Sequence, residues 1–336
     1  MAYCKFLPVL AFSIDPSVFW PYAAGAAILA IGLPVVIMGA ARRARGIDKL
    51  IAFGPLLFAI AMAIFGADHF VGAKFVATIV PSLFPWHLFW AYFVGAALVV
   101  GALSLATTIQ WRLAAGSFAL MFLIFELTMH IPNLIAGPHS KPRLILLLRD
   151  LPFLSAGLAF AASHSAEAGA SSARPGGLLS PRVRKSLVII ACFLMAIPIG
   201  VFGVEHFLNP DFAPGIPQEN PAVTMPMPSW LPAHALWMYL AGAIFVLSAI
   251  GLITIRYART AAIWIGATVL VAIALVYIPV TIARAGDVDS GLNYLSIHFA
   301  LAGAALMLAA ALPAHSTASA GAPEIEPVGI GQAANS

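Results

Sequence analysis

The residues able to do chemistry in this chain are a small set of carboxylates and histidines placed inside, or at the ends of, long apolar runs. Asp68 and His69 close one run and His87 opens the next. Glu126 and His130 lie four apart in a third, and Asp150 lies near the start of a fourth. Later, Glu205 and His206, His234 and His298 fall in comparable places. Four-residue spacing puts Glu126 and His130 on one helix face. An ionisable group at the centre of a membrane helix costs about 2.5–3.5 kcal/mol on insertion scales, so such groups turn toward a bundle interior or cavity. Histidine titrates near neutral pH and a desolvated carboxylate moves toward the same range, so the combination can relay a proton. Glu126, His130, Asp68 and His69 are therefore the candidate catalytic residues, acting as a proton relay. His87, Asp150, Glu205, His206, His234 and His298 are the candidate binding residues.

Plainer roles compete. His87 and His234 follow a proline at a helix start, where a histidine meets interfacial water, and Trp86, Trp90, Tyr92, Trp230, Trp237 and Tyr239 suit an aromatic belt. Asp68 and Glu205 can simply satisfy the neighbouring histidine. Glu126 is the exception, because it lies about three turns inside its run with no inexpensive structural explanation. No metal site is expected: the histidines show no HxxxH or HxxE spacing, Cys4 and Cys192 form no CxxC, and Met225 and Met227 sit in a proline-rich loop. Walker, GxSxG, HExxH and GxGxxG patterns are absent, so no nucleotide or hydrolase chemistry is expected.

The elements that must position these groups are membrane helices. Of 336 residues, 62% are hydrophobic and 9% charged, against about 25% charged in soluble domains. That excludes an ordinary soluble domain, a disordered chain and a nucleic-acid binder. Apolar runs near 20–40, 50–70, 86–108, 114–135, 144–163, 187–207, 233–254, 261–283 and 294–312 each supply the roughly 20 residues a spanning helix needs. The runs are continuous rather than alternating, which excludes a β-barrel. The fold expected is all-α and transmembrane, with about nine helices. The segment around Phe6–Phe12 reads as interfacial, 164–186 as a cytoplasmic linker rich in small residues, and 313–336 as a disordered tail.

Of the 17 Lys and Arg, one set of alternate connections holds Arg42, Arg43, Arg45, Lys49, Arg112, Arg174, Arg182, Arg184, Lys185, Arg256 and Arg259, and the other set holds the remaining six. The richer set is expected in the cytoplasm, with the N-terminus outside and the C-terminus inside. The partner this implies is the lipid bilayer, and the location a plasma membrane of bacterial inner-membrane type.

The chain repeats internally. Phe65-Gly66-Ala67-Asp68-His69-Phe70 matches Phe202-Gly203-Val204-Glu205-His206-Phe207 at an offset of 137. After a ten-residue insertion in the proline-rich loop, Pro85 matches Pro232, Trp90 matches Trp237 and Ile131-Pro132 matches Ile278-Pro279 at 147. Near the end, Ser155-Ala156-Gly157 aligns with Leu301-Ala302-Gly303 at 146. An even number of spans per copy gives both the same orientation. The expected organisation is an N-terminal segment with the first helix (1–49), then two tandem parallel four-helix bundles, 50–163 and 187–312.

A four-helix membrane unit whose first helix ends in Gly-x-(Asp/Glu)-His-Phe, followed by a proline-bounded loop into the second helix, resembles the DoxX-like membrane proteins. Gly66-Ala67-Asp68-His69-Phe70 and Gly203-Val204-Glu205-His206-Phe207 carry the resemblance, which covers two units in tandem. It implies a four-helix bundle per unit and an association with respiratory or quinone-linked oxidoreductase systems, with other redox membrane subunits as partners. It transfers no residue role beyond the Asp/Glu-His pair. Quinone is the first cofactor candidate, with haem or a metal ion behind it. The leading expectation is a membrane subunit of such a redox system. Its alternatives are a proton-coupled small-molecule transporter and a non-catalytic scaffold. The first cluster is expected to be the active one, because the counterpart of Glu126 is Ile273.

Overall fold

A computed structural model describes residues 15–163, 179–211 and 227–313. Most of the proline-rich loop, most of the 164–186 linker, the segment around Phe6–Phe12 and the tail beyond 313 lie outside the described residues, as does the expected character of each. Among the described residues the structure is all-helical. It contains nine helices long and apolar enough to span a bilayer: α1 (Pro16–Arg43), α2 (Asp48–Val71), α3 (His87–Thr107), α4 (Trp111–Ala136), α5 (Lys141–Ala162), α6 (Pro181–Leu208), α7 (His234–Ile253), α8 (Ala258–Ala283) and α9 (Asn293–Ala311). The chain is an integral, polytopic membrane protein.

Helix starts follow local chemistry more closely than hydropathy. α6 begins at Pro181, inside the stretch expected as linker. Ser180 accepts a hydrogen bond from Val183 N at 3.3 Å and proline occupies the first turn, where its missing N–H costs nothing. α1 likewise starts at Pro16. The Asp15 carboxylate accepts from Ser17 N (2.8 Å) and Ser17 Oγ (2.7 Å), and these bonds hold its carboxyl below the usual range.

Corresponding positions of the two halves share local geometry. Trp86 and Ala233, ahead of α3 and α7, are both left-handed, with φ of 56° and 51°. Gly66 approaches Gly95 between α2 and α3, and Gly203 approaches Gly242 between α6 and α7. In either place a Cβ would come within about 3 Å of backbone oxygen. Both α4 and α8 contain a π-helical turn, at Glu126–His130 and Ile273–Tyr277, where Ile131 N bonds Glu126 O and Ile278 N bonds Ile273 O. Pro132 and Pro279 follow these turns. A proline has no N–H to give and crowds the preceding turn, and the wider π turn absorbs it.

The packing of the halves differs from two separately closed bundles. Within each half neighbouring helices pack in chain order. Between the halves, the first helix of each packs on the last helix of the other, α2 on α9 and α6 on α5, while α5 and α9 meet in the middle. Small residues explain this choice. Gly303 lies so close to Gly54 and Phe58 that a Cβ would meet Phe58 N at 2.5 Å. Ser155 Oγ donates to Ala191 O at 2.7 Å across the α5–α6 contact. Backbones that approach this closely gain dispersion contacts that lipid cannot supply. α1 lies against α2 and α3 and is the least enclosed of the nine, whereas α9 and α2 are the most. Arg259 at the start of α8 donates to Asp48 at the start of α2, a further tie between the halves.

Candidate functional site

The π turn in α4 places Glu126 and His130 against α5. Glu126 is 3% exposed, and neither carboxylate oxygen has a hydrogen-bond partner among the described residues. The charged groups acting on it electrostatically are Asp150 and Arg149. One turn on, His130 Nε2 donates to Asp150 Oδ2 at 3.0 Å. Arg149 Nε donates to the other oxygen, Oδ1, at 3.0 Å. Asp150 is buried and therefore bridges a histidine and a guanidinium, as a buried carboxylate must to offset its desolvation.

Asp150 and Arg149 also form part of the wall of a cavity of about 850 Å³. Across it stand Asp68 and His69 of α2, with Asp287 and Asn293 at the approach to α9. His69 Nδ1 donates to Phe65 O at 2.7 Å. A carbonyl can only accept, so Nδ1 carries the hydrogen and Nε2 is left with its lone pair in the neutral ring. Ser17, Phe75, Gly286 and Asp287 are exposed residues on this cavity, at helix ends and loops, so it opens at one end of the helical assembly.

The structure thus brings Asp68, His69 and Asp150 to one cavity, with Glu126 and His130 behind Asp150. His87 does not join them. It starts α3, half-buried, off the cavity wall. In the second half His206 and His298 line a separate cavity of about 290 Å³. Glu205 and His234 do not. Glu205 accepts from Asn209 Nδ2 at 2.6 Å, and His234 Nε2 donates to Asp211 at 3.1 Å on the exposed side. Glu205 is satisfied within its own helix end and His234 by the segment that follows α6.

Sequence reasoning missed Arg149, Asp287 and Asn293 as members of the first cavity. The signal for Arg149 was present. Arg149-Asp150 is an adjacent ion pair inside an apolar run, which needs a protein-facing position to be tolerated. Asp287 and Asn293 reach the cavity only because α9 packs beside α2, and nothing local announces that. Among the described residues no group of three or more His, Cys, Asp or Glu side chains is arranged to hold a metal ion. No family model, no curated protein and no solved structure matches the chain.

Proposed function

We propose that this chain is a proton-handling membrane protein serving a membrane redox system, with Glu126 as the inner proton site. The observation that carries the reading is Glu126 itself, a buried carboxylate whose two oxygens lack a hydrogen-bond partner, set one turn from a histidine that is bonded to a cavity-facing aspartate. A partnerless buried anion is costly, so the carboxyl group is favoured in its protonated form at rest, and on this reading it gives up that proton only during turnover. In the relay, Asp150 meets the cavity and exchanges a proton with His130 through their hydrogen bond, and the step from His130 to Glu126 requires the Glu126 side chain, which has no hydrogen bond at rest, to swing onto the ring. Arg149 holds Asp150 in place and balances its charge.

The tandem-unit reading belongs to this proposal, as does the resemblance to DoxX-like proteins over 50–163 and 187–312. The recurrent π turns, left-handed residues and glycine contacts support it. The units are then interlocked copies that exchange their end helices. The orientation with the N-terminus outside an inner membrane rests on the charge asymmetry of the connections. A quinone's carbonyls need donors, and the first cavity sets Arg149 and Asn293 among the acceptors Asp68, Asp150 and Asp287, but it opens at helix ends rather than to lipid. We route no step through one, and the redox partner is a neighbouring subunit. The cavity volume of about 850 Å³ favours a second reading, proton-coupled transport of a small polar solute.

The test is infrared difference spectroscopy of the protein in lipid across a pH titration. A carboxylic-acid carbonyl band that appears and disappears with pH should vanish in Glu126→Gln. Loss of no band in that variant would end the assignment. Proton uptake that follows an added solute in proteoliposomes would select transport over redox service.

A further inference from the structure

The second cavity differs from the first in both its lining and its mouth. Its walls are almost wholly apolar, with Phe202, Phe245, Met238 and Leu301 among them. Trp237, Leu240, Trp264, Val271 and Leu275 also line it, and each is at least 40% exposed on a helix that is apolar enough to span the bilayer. Side chains exposed at that level face lipid, so whatever occupies this cavity enters from the membrane and is itself lipophilic.

The polar side chains on its wall are His206 and His298, with Thr268, Tyr277, Tyr294 and Arg149 beside them. His206 and His298 are 3% and 8% exposed. His206 Nδ1 donates to Phe202 O at 2.6 Å, and His298 Nδ1 donates to Tyr294 O at 2.7 Å. Each ring is therefore held by its own helix in the Nδ1–H tautomer, with Nε2 turned away from that helix as an acceptor. Neither Nε2 has a hydrogen-bond partner among the described residues. The rings are further fixed by aromatic neighbours. His206 meets Phe245 edge to face at 5.2 Å, and His298 stacks on Tyr277 at 3.6 Å. Arg149 borders the cavity on the side of the first half, with its Nε committed to Asp150.

Two imidazole acceptors that reach an apolar cavity are satisfied best by a donor brought in with the ligand. The ligand must offer a hydrogen-bond donor, a single hydroxyl is the donor that costs least to carry through lipid, and aromatic walls favour a planar ring. We infer that the second-half cavity binds a lipophilic phenol drawn from the bilayer, its hydroxyl donating to Nε2 of His206 or His298. The inference does not depend on proton exchange at Glu126, and Glu126→Gln leaves it untouched.

The experiment uses the full chain in lipid nanodiscs, with empty nanodiscs to correct for partitioning. The probes are 2-naphthol and its methyl ether, which share a ring system and differ in the donor hydrogen. One hydrogen bond gained should make 2-naphthol bind up to about tenfold more tightly than the ether. It should also shift the Nε2 resonance of His206 or His298 in protein labelled with nitrogen-15 histidine, while the ether shifts neither. In the double variant His206→Phe, His298→Phe the preference should disappear while the ether still binds. Equal binding of both probes to the unmodified protein would overturn the inference even if the variant failed to fold. So would Nε2 resonances that ignore 2-naphthol, or a preference that survives in the double variant.

Discussion

Where α4 meets α5, His130 bonds Asp150, and Glu126 lies one turn away. Where α8 meets α9, Tyr277 in the place of His130 stacks on His298, two residues on from the place of Asp150, with Ile273 in the place of Glu126. The backbone answers the same way in both, with a π turn ahead of Ile-Pro. The chemistry is opposite: an ion-paired cluster facing a polar cavity that opens at helix ends, against an aromatic pair facing an apolar cavity that opens to lipid. The two cavities share Arg149, Phe153 and Ile297 as walls. The contrast shows that the geometry of this contact does not require charge. The functional reading attaches to the ionisable residues of the first half because the matching contact in the second packs without them.

The strongest way to break the comparison is to remove the shared carboxylate. Asp150→Ala strands Arg149 and His130 beside Glu126 and should cost about 3–5 kcal/mol. It would be seen as a large drop in thermal midpoint in detergent. Tyr277→Phe, which keeps the ring on His298, should cost no more than about 1.5 kcal/mol. Equal losses would mean that the charged cluster is ordinary packing.

Exchanging the inner residues comes next. Ile273→Glu places a carboxylate where no ion pair waits and should destabilise by about 2.5–3.5 kcal/mol. Glu126→Ile makes the first half resemble the second and should leave stability unchanged or higher, since it replaces a buried polar group without partners by an apolar one, while abolishing pH-dependent proton exchange. A folded, fully exchanging Glu126→Ile protein would remove the site.

The glycine crossings sharpen the likeness rather than the difference. Gly66→Ala and Gly203→Ala each push a Cβ onto the backbone of the facing helix. Overpacking of this kind should cost about 1–3 kcal/mol in both. A marked inequality in thermal midpoints would argue that the α2–α3 and α6–α7 crossings are not equivalent. The smallest effects are expected at the outer histidines. His234→Ala removes an exposed pair with Asp211 and should cost at most about 1 kcal/mol. His87→Ala should lie within about 0.5 kcal/mol. A large loss from His87→Ala would bring that residue back into the first site.

What sequence alone determined here is whatever is local. Continuous apolar runs specify spanning helices because lipid leaves the backbone no partner but itself. Glu126 stands out because a carboxylate at that depth has to be explained, and the matching Ile-Pro pairs lie at the two points where the helices widen. The helix starts at Pro16 and Pro181 were also legible, through Asp15 and Ser180, to a reading that weighs caps above hydropathy. Only tertiary structure decided that α2 lies on α9 and α6 on α5, since apolar helices carry little directional information and close approach depends on where small residues face each other. For the same reason it alone decided that Arg149 stands between two cavities, that Asp287 and Asn293 join Asp68, and that His234 turns to Asp211, whereas the Glu205–Asn209 pair is four residues apart and local. These outcomes depend on contacts between residues far apart in the chain, and burial assigns each polar group its partner only once those contacts exist.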